Sequence, residues 1–137
     1  MAQDIFTGIQ GNEFGRFAGQ SVANQLGINL EPGSNKGIFK SRIVVIKSAR
    51  KGNSMFALTN KMADEIQDII LLKEVSEGIF ELYKIEFDKI KDKGRPSQSK
   101  GKKSVKLTNF RVSEVIKYGN KFDTIKIEID NPPINDR

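Results

Sequence analysis

The chain has 137 residues, 37% hydrophobic and 29% charged, which is enough apolar material for one modest core and too little for two. It contains neither Cys nor His, so disulfides, thiolate nucleophiles, imidazole bases and the usual zinc, haem and iron–sulfur ligands are excluded. The formal charge is +6, the longest apolar runs (Ile43 to Ile46 and Ile69 to Leu72) fall far short of the roughly 18 residues a spanning helix needs, and the opening MAQDIFTGIQGN lacks the basic and apolar regions of a secretion signal. These features predict a soluble, intracellular (cytoplasmic) protein.

The first predicted element is a helix over about residues 12–26. Phe14, Phe17, Ala18, Val22 and Leu26 recur at three- and four-residue spacing, with Arg16, Gln20 and Asn24 opposite. Asn12 suits the N-cap and Gly27 the left-handed residue that follows a helix. Gly15 and Gly19 weaken the helix, and because they are four apart they open one face to close approach by a neighbour. The stretch Glu31 to Gly37, with Pro32 and two glycines, reads as a linker between an N-terminal arm (1–36) and a single core domain (37–131).

A buried strand is predicted over 38–48 from the run Ile43-Val44-Val45-Ile46, followed by a turn at Arg50 to Asn53. Leu58, Met62, Ile66 and Ile69 predict a helix over about 58–75, although Asp68 to Val75 would also suit a strand. Alternation from Ile79 onward predicts a strand to about residue 91. Past a charged loop at 92–104, the apolar positions change parity between Leu107 and Phe110, which predicts a bulge near Thr108 and Asn109. Gly119-Asn120 predicts a two-residue hairpin turn with positive φ, setting Val112 opposite Ile127 and Phe110 opposite Ile129. Pro132 and Pro133 begin a short tail at 132–137. The predicted fold class is α+β: an antiparallel β-meander or small barrel-like sheet with two helices, one of them in the N-terminal arm.

Charge is unevenly placed. Residues 1–35 hold Arg16 against Asp4, Glu13 and Glu31, whereas residues 89–106 hold eight cations against Asp92 alone. Lys91, Lys93, Arg95, Lys100, Lys102, Lys103 and Lys106 are therefore the candidate residues for gripping phosphates or an acidic partner. The competing reading is a solvated, mobile tip that protects a sheet edge. Residues 88–106 contain no aromatic side chain, so this loop would hold backbone without stacking bases. The candidate interface is the helix face of Phe14, Phe17, Ala18, Val22 and Leu26, and its competing reading is packing against the chain's own sheet.

Catalytic signatures fail. Six residues separate Gly94 from Gly101 where a phosphate loop needs four, and Lys103 stands where Ser or Thr should follow Lys102. Gly8, Gly11, Gly15 and Gly19 follow no strand, so they form no dinucleotide fingerprint. Serines have no His to activate them. Glu86 and Asp88, with Glu114 or Glu128, are better read as cross-strand ion pairs than as a metal site. No catalytic residue, metal or cofactor is expected, nor is a small-molecule substrate or membrane contact. The sequence points first to a non-catalytic structural or assembly subunit docking with itself or with partner proteins, as in a phage- or secretion-type particle. The alternative is a sequence-nonspecific nucleic-acid-binding protein acting through loop 89–106.

Overall fold

A computed structural model describes residues 15–98 and 106–127. The fold is α+β, built on a five-stranded sheet that separates two apolar cores. Its strands are β1 (Lys36–Phe39), β2 (Arg42–Ala49), β4 (Asp68–Ser76), β5 (Ile79–Glu86) and β8 (Asn120–Lys126), adjacent in that order. All neighbours are antiparallel except β2 and β4, which run parallel. The crossover between those two holds β3 (Met55–Thr59) and the short helix α2 (Asn60–Glu65). A second sheet of β3, β7 (Lys106–Arg111) and β6 (Arg95–Gln98) lies over one face of the first. The sheet is not closed into a barrel.

Helix α1, described over residues 15–26, covers part of the opposite face. Ala18, Val22 and Ala23 pack there on Val44, Ile46, Ile70, Leu72, Phe80 and Leu82, the even-numbered residues of β2, β4 and β5. Odd-numbered Val45, Ile69, Leu71 and Ile85 face the second sheet. Residues 69–72 are fully buried on both faces, which explains why the run Ile69 to Leu72 forms strand β4 and not the end of a helix. Helical structure in the predicted 58–75 region is confined to α2, where the Thr59 hydroxyl accepts from the Met62 amide at 3.1 Å.

The expected C-terminus of α1 is borne out: Gly27 has φ +74° and the Ile28 amide donates to the Ala23 carbonyl at 2.8 Å. The close approach expected at the glycine face is also found, and the neighbour belongs to the same chain. A Cβ on Gly19 would lie 2.7 Å from the Asn35 side chain, which donates to the carbonyls of Gly15 and Ile46.

Other expectations need correcting. The predicted strand 38–48 is two strands joined at Lys40 and Ser41, both with positive φ, as a two-residue hairpin turn requires. The long strand ends at Glu86, and Phe87–Lys89 and Lys91–Lys93 form 3-10 turns. The bulge near Thr108 is absent, since β7 pairs with β3 in unbroken register from Met55↔Arg111 to Thr59↔Leu107. The change of parity instead marks the start of helix α3 (Val112–Tyr118), which buries Val112 and Val115 at helical spacing. Gly119 therefore follows a helix at φ −108°, and the 118–121 hairpin with its Val112–Ile127 pairing does not form; β8 pairs with β5.

Candidate nucleic-acid interface

Helix α1 leaves uncovered the end of its sheet face where β2 and β4 begin. Arg42 and Asp68 are the first residues of those strands. Asp68 is fully buried, and the Arg42 guanidinium donates to both its oxygens, Nε at 2.7 Å and Nη2 at 2.9 Å. This pairing holds Arg42 protonated even more firmly than usual. Lys84 Nζ approaches Asp68 at 4.0 Å. The buried carboxylate is thus neutralised from within the sheet, and the charge of the remaining side chains faces outward.

Beside this pair is a cleft of about 270 Å³. One wall is Phe39 and Lys40 from the β1–β2 hairpin, and the other is Tyr118 and Phe122 from the end of α3 and the edge strand β8. Lys84, Glu86 and Asn120 lie between them, with Lys89 at the rim. Register explains the grouping: Lys84 and Glu86 alternate on one face of β5, Lys84 pairs with Asn120, and Glu86 pairs with Asp68. The strand register shifts between Leu82 and Tyr83, leaving Phe122 outside the paired positions and 40% exposed.

Each wall combines an aromatic ring with a cation. Lys40 Nζ lies 5.2 Å from the centroid of Phe39, while Lys93 and Lys117 lie 4.8 Å and 5.6 Å from that of Tyr118. Lys40, Lys84 and Lys89 thus line the cleft with three rings, Lys93 and Lys117 flank Tyr118, and Glu86 is the one carboxylate among the described lining residues. Asp88 is turned toward Lys91, at 3.3 Å. Because Asp88 lies in a 3-10 turn, it does not share the strand alternation with Glu86 that the sequence suggested. Among the described residues no cluster of three potential metal ligands occurs.

No known family and no curated protein matches this chain.

The sequence-predicted residues are divided by the fold. Of the basic loop, Lys93 joins the cleft through Tyr118, Lys91 pairs with Asp88, and Arg95 begins β6 opposite Asn109. Part of the loop is therefore an ordered edge strand. Lys106 begins β7, and Lys100, Lys102 and Lys103 lie outside the described residues. On α1, Ala18 and Val22 are fully buried in the chain's own core and Leu26 packs against it, while Phe17 is 53% exposed; Phe14 lies outside the described residues.

Missed from sequence were the aromatic walls. Their signal was present in the pairs Phe39-Lys40, Lys117-Tyr118 and Lys121-Phe122, each setting a cation beside a ring.

Proposed function

We propose that this protein binds single-stranded nucleic acid across the uncovered end of its five-stranded sheet. The observation that carries the reading is the cleft itself, lined by three aromatic rings and three lysines, with Lys93 and Lys117 beside its Tyr118. Single-strand binding needs these two components together: cations that replace the phosphate counterions and ring faces on which unpaired bases stack. The strands bearing the two walls are four inter-strand steps apart, about 19 Å at sheet level. A strand laid across β1, β2, β4, β5 and β8 meets a ring at either side, with Lys40, Arg42 and Lys84 between them. The basic loop extends this surface beyond the cleft through Lys93.

The assembly reading has less to stand on. It needs the apolar face of α1 for a neighbour, and most of that face is occupied by the chain's own sheet. The activity proposed is binding, carried by the rings and cations of the cleft.

A salt titration tests the reading. If three to five lysines contact phosphates, the logarithm of single-strand affinity falls against log salt with a slope of about −2 to −4. Replacing Lys84 and Lys89 with Ala flattens that slope by about 1.4. A duplex of the same sequence binds more weakly, because its bases cannot reach the rings. An affinity that ignores salt, or a slope unmoved by the double variant, refutes it.

A further inference from the structure

Resting on the nucleic-acid reading, we propose that the cleft contains one base-reading position, in which Glu86 recognises guanine through its Watson–Crick edge. Within a surface suited to phosphates, Glu86 is the feature that phosphate binding does not explain. A carboxylate among lysines works against a polyanion, and the other acids nearby are already engaged: Asp68 by Arg42, and Asp88 by Lys91. No hydrogen bond or ion pair ties the Glu86 carboxylate to another described side chain, although it lies within the field of Arg42. It is exposed and lines the cleft between the aromatic walls, within reach of a base that stacks on one of them.

The chemistry selects the base. An ionised carboxylate only accepts hydrogen bonds, and it does so best in parallel pairs. Of the common bases, guanine alone offers two adjacent donors on its Watson–Crick edge, the ring N1–H and the exocyclic N2–H₂. Adenine and cytosine offer one donor beside an acceptor, and thymine or uracil a single donor flanked by carbonyls. Guanine also presents an O6 acceptor on the same edge, and both neighbours of Glu86 in the cleft carry donors. Lys84 stands two residues earlier on the same face of β5, and Asn120 is the strand partner of Lys84. Glu86 with Lys84 or Asn120 therefore complements the whole edge, donor for acceptor. A bidentate contact of this kind discriminates between bases by roughly 5- to 150-fold.

The experiment uses fluorescently labelled thymidine oligomers in which one central base is thymine, guanine, hypoxanthine, adenine or cytosine, with affinity read by anisotropy on the full chain. Hypoxanthine lacks only the N2 amino group. The expected order is guanine tightest, hypoxanthine intermediate, and the other three weakest. In Glu86→Gln the amide can no longer accept at both oxygens, so the guanine advantage collapses, while affinity for the all-thymine oligomer rises because a negative charge leaves the cleft. A purely structural role for Glu86 would instead weaken every oligomer by the same factor. Binding of all five oligomers with equal affinity overturns the guanine inference and leaves the nucleic-acid reading standing. Failure to bind any of them at low salt ends both.

Discussion

Glu74 joins the two loops at one end of the central sheet, and replacing it tests the architecture that supports the cleft. Its side chain is 3% exposed, and its carboxylate accepts from Arg50 Nε at 2.8 Å, from the Lys51 amide at 2.8 Å and from the Gly78 amide at 3.0 Å. Burial by itself would raise its pKa. The two backbone amides and the guanidinium outweigh burial, and the group is held below its ordinary value of 4.5. A depressed native pKa means that near pH 4 the folded state binds fewer protons than the unfolded chain. The resulting stability is complete above about pH 4.5 and is lost as pH falls through the native value. In Glu74→Gln, three charge-assisted bonds become neutral or are lost, at about 1 kcal/mol each, so the variant is less stable than the parent by about 3 kcal/mol at pH 7. At pH 3, below the unfolded chain's pKa, the unfolded state takes up the proton first, part of that advantage is lost, and the gap is narrower than at pH 7. Urea denaturation followed by circular dichroism at the two pH values measures both numbers. A gap under about 1 kcal/mol at pH 7, or an equal gap at both pH values, refutes the reasoning.

Three further outcomes are expected. The Tyr83 hydroxyl donates to Glu81 Oε1 at 2.7 Å, and burial together with that carboxylate pushes it up to about 12, so an ultraviolet titration shows one tyrosine ionising well above 10 and Glu81→Gln lowers it. Lys47 lies on the core-facing side of β2 near Val45 and Ala49, where burial lowers its pKa; folding therefore disfavours its charge, and Lys47→Met raises the urea midpoint at pH 7, a lower midpoint contradicting this account. Phe122 is 40% exposed, so Phe122→Ala leaves the thermal midpoint nearly unchanged while weakening single-strand affinity by about 1–3 kcal/mol, a loss that unchanged binding would rule out.

Much of the fold was legible because single elements carry their own periodicity. Helix α1 ends at Gly27 as its sequence requires, and the β-branched run in β2 and the alternation in β5 identify those strands. Errors arose where one pattern suits two structures. Ile69 to Leu72 fits either a buried helix or a buried strand, and only pairing with β2 on one side and β5 on the other decides between them. Gly119-Asn120 resembles a hairpin turn and so predicts a strand at Val112, where the structure has helix α3. The apolar spacing of three and four was the better guide, and β7 found its partner in β3, about fifty residues earlier. The cleft was the least legible part. Its residues come from the β1–β2 hairpin, β5, α3 and β8, and the parallel crossover from β2 to β4 brings them onto one sheet face. No local signal encodes that meeting, whereas the basic loop is contiguous in sequence and is therefore visible there.

The most direct test of the central claim is a two-dimensional NMR titration of the uniformly labelled chain with a short single-stranded oligonucleotide. The account predicts that the largest shifts fall on Phe39, Lys84, Glu86, Tyr118, Asn120 and Phe122, with the α1 residues Ala18 and Val22 unmoved. Shifts concentrated on α1 or on the second sheet, or none at oligonucleotide concentrations well above that of the protein, would contradict it.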